Sequence, residues 1–337
     1  MTSNTVEFES PQPSFAAAIE LPIPAIAHFI WLGHTFPWTN VLALATASRN
    51  GGFQRIVLHL EQTDAIAAHL IELAKIPKLE VRRLDPEAIF DRASTSGQMS
   101  DGLFELYRRV KTPAARANIL RAAILHAEGG VYFDMDTITL RTLTPLRGDT
   151  AFCGLERICL PIDIKRSWAP HVLALTGARM VVREACRIVP QGWRPFRVVE
   201  GLYPLAANNA VLGASPGHRF THALLRRMLD VPRERQMVRY ALGTHLLQET
   251  LRDRAAAEVV AHSPEVFYPL APEISEHWFK PLPEVDLDSL IDRSARVVHW
   301  YASVRTEGHI ESLSRKRISS ERQHLPFAAL ACRAMAW

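Results

Sequence analysis

The stretch TPAARANILRAAILHAEGGVYFDMD occupies residues 112–136 and determines how the rest of the chain is interpreted. A hydroxyl residue followed by proline, Thr112–Pro113, is typical of a helix N-terminus, and Gly129–Gly130 is typical of a helix end. Between them, apolar residues recur on one stripe, which predicts a helix with one buried face. The short apolar run after the glycines predicts a buried strand with Asp134 and Asp136 at its carboxyl end.

Strands and helices alternate at short intervals on the N-terminal side of this stretch. The predicted strands are 25–32, 53–60 and 79–84, and the predicted helices are 41–48 and 63–75. Such alternation is typical of an α/β fold with a largely parallel sheet. Residues 85–111 are expected to be irregular and partly helical, with a loop at 94–97.

The alternation of strands and helices is less regular on the C-terminal side of this stretch. The predicted strands there are 151–160, 196–203, 208–213, 257–261 and 295–301, and the predicted helices are 217–230 and 236–256. No internal repeat or low-complexity linker divides the sequence. We therefore expect one α/β domain over residues 21–337, elaborated by later insertions, after a loose polar arm at residues 1–20.

The composition is that of a globular protein. Of the 337 residues, 48% are hydrophobic and 22% are charged, which excludes a disordered chain and a fibrous repeat. The formal net charge of +4 is small for this length. Because acidic residues also interleave with the arginine clusters, we expect solvated faces rather than nucleic-acid binding.

The cysteine spacing and the absence of long apolar runs indicate the cellular compartment of the protein. Cysteines at 153, 159, 186 and 332 have no zinc-binding spacing, so we expect buried free thiols in a reducing environment. Residues 1–14 lack the features of a signal peptide, and no run reaches the roughly 18 apolar residues that a membrane span requires. The sequence predicts a soluble cytoplasmic protein without a transmembrane segment.

The two aspartates are the sharpest chemical signal. Side chains alternate along a strand, so Asp134 and Asp136 point to the same side, at the sheet edge where α/β folds bind ligands. Hard oxygen ligands suit Mg²⁺ or Mn²⁺, and such an ion can neutralise a diphosphate. Taken alone, the pair also fits two solvated turn aspartates, because so short a motif occurs by chance.

Residues 114–136 resemble the DXD sugar-binding glycosyltransferases, which include relatives of the initiating mannosyltransferases and the glucosyltransferase domain of the large clostridial toxins. Their shared pattern is a Ser/Ala-Asp-x-x-Arg helix followed by Gly-Gly-x-Tyr-x-Asp-x-Asp. A second match, IPAIAHFIWLG at residues 23–33, resembles their opening strand. The resemblance implies a GT-A fold, a Rossmann-type mixed sheet flanked by helices. It divides the chain into a nucleotide-binding half at 21–150, a sugar and acceptor half at 151–310 and a tail at 311–337.

The resemblance also implies an activity. The chain would be a metal-dependent glycosyltransferase that moves a hexose from a nucleotide-sugar donor with retention of anomeric configuration. A UDP-sugar is favoured as the donor, and GDP-mannose comes next. The acceptor, which in this family is a glycan, a protein side chain or a small metabolite, is not indicated by the sequence. Arg121, Asp134 and Asp136 would be the catalytic residues, and Mn²⁺ or Mg²⁺ the cofactor.

Donor-binding roles follow from the same resemblance. Trp31 would lie beside the nucleotide base, although an ordinary core tryptophan is the alternative. Asn118 stands where the family usually has an aspartate that holds ribose and sugar hydroxyls, so a charge is missing from the sugar pocket. Arg121, on the same helix face, matches the arginine that contacts the donor sugar and phosphate. The other implied donor contacts are Tyr132, Asp134 and Asn209, for which the register equally allows Asn208.

The implied metal ligands come from two distant parts of the chain. Asp136 would bind the ion directly, with Asp134 approaching it. The segment from Val297 resembles the family's C-terminal segment, and it would add His299 and Ser303. A histidine at the end of an apolar strand is otherwise a core or edge residue, so both interpretations of His299 remain open.

Two other functions compete with glycosyl transfer. A phosphatase of the haloacid-dehalogenase type would use Asp134 as the nucleophile and Asp136 as the acid/base, with Asp286 and Asp288 as a second acidic pair. A catalytically silent sugar-nucleotide binding protein is the other alternative, and Asn118 motivates it. The three functions differ in their product: a free nucleoside diphosphate, inorganic phosphate, or neither.

Overall fold

The structure is a computed structural model that describes residues 21–161, 164, 169–253, 256, 258–303 and 306–337. The arm expected at 1–20 lies outside the described residues. The strands are β1 (Ile26–Trp31), β2 (Arg55–Leu60), β3 (Leu79–Arg83), β4 (Gly130–Phe133), β5 (Thr137–Thr139), β6 (Ala151–Arg157), β7 (Leu205–Ala214), β8 (Val259–His262) and β9 (Val297–His299).

Helices flank the strands and make up much of the C-terminal part of the chain. The α-helices are α1 (Trp38–Asn50), α2 (Leu70–Leu73), α3 (Pro86–Ala93), α4 (Gly97–Arg109), α5 (Pro113–Glu128), α6 (Pro170–Ile188), α7 (Trp193–Val199), α8 (Arg219–Asp230), α9 (Thr244–Thr250), α10 (Pro264–Phe267), α11 (Leu287–Leu290), α12 (Glu307–Ile310), α13 (Arg315–Glu321) and α14 (Pro326–Met335). The 3₁₀ segments are Thr63–His69, Thr144–Gly148, Glu200–Leu202, Arg233–Arg235 and Pro272–Phe279.

A seven-stranded mixed sheet joins both parts of the chain, in the order β3-β2-β1-β4-β7-β6-β8. Strands β3, β2, β1 and β4 are parallel, whereas β7 runs antiparallel to both β4 and β6. A separate two-stranded sheet pairs β5 with β9. The predicted α/β fold with a mixed sheet flanked by helices is confirmed. Because β1 and β4 are parallel neighbours, their carboxyl ends lie at the same sheet edge.

The junction between α5 and β4 positions the aspartates. Gly129 and Gly130 have φ values of 66° and 102°, and a Cβ on Gly130 would lie 2.6 Å from the carbonyl oxygen of Ile26. Only glycine permits this close approach of the turn to β1. At the other end of α5, Thr112 occupies the N-cap position as predicted, but its side chain makes no capping hydrogen bond.

One segment is more regular than predicted, and one predicted strand is wrong in type. Residues 85–111 are largely helical, because Asp85 and Ser96 cap helices α3 and α4 through hydrogen bonds to the backbone amides of Ala88 and Met99. The strand predicted at 196–203 is α7 followed by a 3₁₀ turn. Its two buried aromatic residues are spaced for a helix, and the β-branched Val198 that suggested a strand is 86% exposed.

Other boundaries also differ from expectation. The helix predicted at 236–256 is an α-helix only in α9, and residues 254, 255 and 257 lie outside the described part of the chain. The strand predicted at 151–160 ends at Arg157, and β5 and the 19-residue helix α6 were not predicted. Helix α6 has only Thr176 and Cys186 buried, and several of its apolar side chains are exposed, among them Leu173, Val181 and Ile188.

The cysteine prediction is confirmed. All four cysteines are buried and free of disulfides. Among the described helices, none combines the length and the apolar character that crossing a lipid bilayer requires.

The glycine turn gives a test of the fold. We expect Gly130→Ala to lower the free energy of unfolding by about 2–3 kcal/mol, because the added Cβ is strained at this φ and meets the Ile26 carbonyl. Gly177→Ala is the matched control, since Gly177 lies in the exposed middle of α6 with nothing near its Cβ. That change should raise stability by up to about 1 kcal/mol. Urea unfolding measures both, and an unchanged midpoint for Gly130→Ala would contradict the argument.

Candidate active site

The predicted metal ligands from both parts of the chain meet at one place. Asp134 follows β4, and its amide donates a hydrogen bond to the carbonyl oxygen of Ala210 at 2.8 Å. Asp136 lies in the turn that leads into β5, and His299 ends β9. Because β5 pairs with β9, the imidazole is brought to the aspartates, and ligand atoms of all three side chains lie within 4.8 Å of one another.

Asp136 is held on both carboxylate oxygens. Oδ1 lies 3.0 Å from His299 Nε2, and Oδ2 accepts a 2.7 Å hydrogen bond from the backbone amide of Ala302. Burial alone would raise the pKa of Asp136, but His299 and the Ala302 amide together lower it below its usual value. Asp136 is therefore ionised in this environment.

His299 is buried and carries one unsatisfied nitrogen. Burial alone would lower the pKa of His299, but the Asp136 carboxylate raises it above its usual value. Its Nδ1 is buried without a hydrogen-bond partner. Two carboxylates and an imidazole form a donor set that Mn²⁺ accepts and that also suits Mg²⁺ through the carboxylates.

Asp134 lies between a cation and another carboxylate. Burial raises the pKa of Asp134, the Arg121 guanidinium opposes that increase, and the nearby Asp136 charge adds to it. The guanidinium nitrogen of Arg121 lies 3.0 Å from Asp134 Oδ1, which also accepts a 2.8 Å hydrogen bond from the Tyr132 hydroxyl. Tyr132 also supports Arg121, whose guanidinium carbon lies 4.3 Å from the centre of the tyrosine ring.

The predicted asparagines connect α5 to β7. Asn209 Nδ2 donates to Asn118 Oδ1 at 2.9 Å, and the Asn209 carbonyl accepts a hydrogen bond from Arg121. Asn208 points differently, because its Oδ1 accepts from the amide of Ala210 at 2.7 Å. Both asparagines line the same cavity, so the structure brings Asn118, Arg121 and Asn209 together as the sequence predicted.

Two cavities meet at these residues. One, of about 400 Å³, is lined by Trp31 and neighbouring apolar residues, and the other, of about 470 Å³, contains Asn118, Asn208 and Asn209. The residues that line both are Ala114, Arg121, Asp134, Asp136 and Ser303. A ligand that bridges the cavities would therefore pass directly over the charged cluster.

Trp31 lies at the end of β1, on the wall of the smaller cavity. Its indole Nε1 donates to the carbonyl oxygen of Thr35 at 3.0 Å, and its ring contacts Phe36 edge-on. A Cβ on Gly33 would lie 3.0 Å from the indole ring, so the glycine leaves room for this orientation. Trp31 is partly exposed to the cavity and is not a fully buried core residue.

The sequence analysis missed two acidic residues of the larger cavity, Glu156 and Glu273. Burial raises the pKa of both carboxyls, that of Glu156 to about 7. Neither belongs to a recognisable motif. The only available signal was a glutamate within the strand predicted at 151–160, where a charged residue is uncommon in a buried strand.

Some predicted residues lie apart from the cluster. Asp286 caps α11, and Asp288 forms an ion pair with Arg333 on the surface. The second acidic pair of the phosphatase alternative is therefore not at this cavity. Ser303 lies at the rim of both cavities, and its role as a metal ligand stays a prediction.

Comparisons with known proteins found one matching protein family and several similar solved structures. Residues 46–153 match the family model described as a glycosyltransferase sugar-binding region containing DXD motif. No curated protein sequence matches the chain.

Similar solved structures have low sequence identity. The PaToxG glycosyltransferase is 16% identical, over 68% of this chain and 69% of that one, with a TM-score of 0.44. The ligand-free glycosyltransferase domain from the YGT toxin is 10% identical, over 72% and 81%, with a TM-score of 0.42. The apo form of mouse xyloside xylosyltransferase 1 is 14% identical, over 81% and 96%, with a TM-score of 0.44.

The family match covers Asn118, Arg121 and both aspartates, which are the residues that carried the resemblance in the sequence. The match of residues 46–153 to the glycosyltransferase sugar-binding region confirms the prediction of a glycosyltransferase.

Proposed function

We propose that this protein is a metal-dependent glycosyltransferase that transfers a hexose from a nucleotide-sugar donor, a UDP-sugar before GDP-mannose, to an acceptor. The main support for the proposal is that two neighbouring cavities share Arg121, Asp134 and Asp136 as lining residues. A nucleotide sugar has a flat base at one end, a sugar at the other and a diphosphate between them. The charged cluster between the cavities fits the position of that diphosphate.

The smaller cavity suits the nucleoside. Trp31 offers an aromatic face, and its backbone lies beside the edge where β1 and β4 end. Stacking on a tryptophan ring would orient the base without requiring many polar contacts. The preference for UDP over GDP rests on the resemblance of the motifs, and so does the proposed retention of anomeric configuration.

The donor set at the junction fits a divalent cation. Asp134, Asp136 and His299 provide two carboxylates and an imidazole, and their ligand atoms lie within 4.8 Å of one another. Without a cation, Asp136 raises the pKa of Asp134, which shows that the two charges repel. A bound Mn²⁺ or Mg²⁺ would offset that repulsion and the negative charge of the departing diphosphate.

Arg121 is placed to act on the donor. Its guanidinium is buried, rests on the Tyr132 ring and is fixed by Asp134, so its direction is set before a ligand binds. A preorganised guanidinium stabilises charge that develops on a phosphate as the anomeric bond breaks. On the sugar side, Asn118 and Asn209 hold each other and present amide groups that can bind hydroxyls.

Donor hydrolysis tests the proposal. We expect purified protein with Mn²⁺ to release nucleoside diphosphate from one donor in a panel of UDP- and GDP-sugars, and Asp136→Asn to reduce the rate about a hundredfold or more, because a charged ligand is lost. Asp288→Asn is the matched control, since that carboxylate is on the surface and pairs with Arg333.

The products distinguish the three candidate functions. Nucleoside diphosphate lost in Asp136→Asn but kept in Asp288→Asn supports glycosyl transfer. Inorganic phosphate released from sugar phosphates would support a phosphatase instead. Mn²⁺-dependent donor binding without any product, with acceptors of all three classes supplied, would indicate a silent binding protein.

The His299–Asp136 ion pair predicts a pH dependence. The pKa of His299 is raised in the folded protein, so the pair stabilises the metal-free protein fully below about pH 6.5 and loses this contribution as the pH rises through the raised pKa. Metal binding needs the neutral imidazole, so Mn²⁺ affinity should rise over the same interval.

Isothermal titration calorimetry with Mn²⁺ between pH 6 and 9 measures the metal affinity. Thermal unfolding of the metal-free protein over the same pH range measures its stability. His299→Asn should flatten both profiles in this interval. His171→Asn, on an exposed position of α6, should leave them as in the parent protein. Parallel profiles for the parent and His299→Asn would contradict the assignment.

A further inference from the structure

Tyr301 has an unusual backbone conformation next to the proposed metal site. Its φ is 57°, in the left-handed region that a bulky non-glycine residue seldom adopts. Such a conformation persists only where the surrounding structure fixes it, and it is often found at functional sites. Tyr301 lies between His299 and Ala302, both of which contact Asp136.

The turn at Tyr301 directs several groups onto one aspartate. The amide of Trp300 donates to the Asp136 carbonyl at 3.0 Å, and the amide of Ala302 donates to Asp136 Oδ2 at 2.7 Å. His299 Nε2 lies 3.0 Å from Oδ1. The left-handed residue lies between these two amides, and both amides reach the same aspartate.

Glu156 contacts this turn from strand β6. Its Oε2 accepts a 2.8 Å hydrogen bond from the Tyr301 hydroxyl, and the Asn208 side chain gives the carboxyl a second hydrogen bond. Asn208 is itself fixed by the Ala210 amide. Glu156 is 6% exposed and lies on β6, which pairs with β7.

The Tyr301 ring packs against the imidazole of His299. The ring centres of Tyr301 and His299 are 4.1 Å apart, in a tilted arrangement. The Tyr301 carbonyl accepts a hydrogen bond from the Thr306 hydroxyl at 2.9 Å, so the residue is held at its side chain and at its backbone.

We propose that Glu156 is a positioning residue that locks the left-handed turn at Tyr301 and so holds Asp136 and His299 in their metal-binding arrangement. A buried carboxyl is energetically unfavourable at this position, because burial raises the pKa of Glu156 to about 7 and its hydrogen-bond donors are neutral side chains. Such an unfavourable group is typical of a functional position. The effect on the turn is independent of the proposed function, whereas the effect on metal binding rests on it.

Hydrogen exchange of the metal-free protein tests the turn itself. We expect Tyr301→Phe and Glu156→Ala each to speed amide exchange in a peptide spanning 297–303 about tenfold, because each removes the same buried hydrogen bond. Tyr301→Phe removes a single oxygen atom and keeps the ring against His299. Glu156→Gln keeps an acceptor for the tyrosine, and its exchange should stay within about twofold of the parent protein.

Glu273→Gln is the matched control, because this second buried carboxyl of the cavity accepts its hydrogen bond from the Cys159 amide. In the Glu273→Gln variant, the amides of peptide 297–303 should exchange at the same rate as in the parent protein. Unchanged exchange in both Tyr301→Phe and Glu156→Ala would overturn the proposal, and so would equal acceleration in Glu273→Gln.

Direct Mn²⁺ titration tests the consequence for the metal. Each of Tyr301→Phe and Glu156→Ala should weaken Mn²⁺ binding about tenfold, the effect usual for residues that orient metal ligands. The double variant should be no weaker than either single variant, since both act through one contact. Additive losses would overturn the proposed route through Tyr301. If the parent protein itself bound no Mn²⁺ while the exchange results held, the proposed function would fail and the structural lock would stand.

Discussion

The candidate active site depends on the repulsion between two carboxylates placed two residues apart and largely removed from solvent. Asp134 directly follows β4 and Asp136 lies in the turn before β5, so the short backbone between them keeps the two carboxylates close together. Two basic side chains face the carboxylates, Arg121 at 3.0 Å from Asp134 and His299 at 3.0 Å from Asp136. Burial and the neighbouring Asp136 charge raise the pKa of Asp134, and the proposed divalent cation would reduce the repulsion between the two carboxylates.

Much of the fold serves this arrangement. Helix α5 supplies Arg121, the glycine turn after it sends β4 to the sheet edge, and β7 contributes the carbonyls that bind Arg121 and Asp134. The small sheet of β5 and β9 brings His299 from a distant part of the sequence. The strained turn at Tyr301 then completes the enclosure of Asp136. Each polar group is held by another, so the site is organised before a ligand binds.

The sequence was most informative where structure is local. Arg121, Asp134 and Asp136 belong to one continuous helix and strand, whose apolar spacing and glycines define their geometry. The strand that ends at Trp31 was predicted from its apolar residues, but the role of Trp31 came only from the resemblance. His299 was suggested only by resemblance, since nothing in its own segment indicates which strand it pairs with.

Residues whose roles depend on distant pairing could not be found in this way. Glu156 is a single glutamate in an apolar strand, and its partners Asn208 and Tyr301 are 52 and 145 residues further along the chain. Helix α7 was mistaken for a strand because Val198 and its neighbours have β propensity, while the burial of Trp193 and Phe196 decides its true period. Tertiary packing overrides local preference in such segments.

The most direct test of the central claim is a crystal structure of the protein grown with Mn²⁺ and UDP, with diffraction recorded at the manganese absorption edge. We expect an anomalous peak bonded to Asp136, with Asp134 and His299 around it, the diphosphate beside Arg121 and the base against Trp31. A peak elsewhere, or a nucleotide bound outside the two joined cavities, would contradict it.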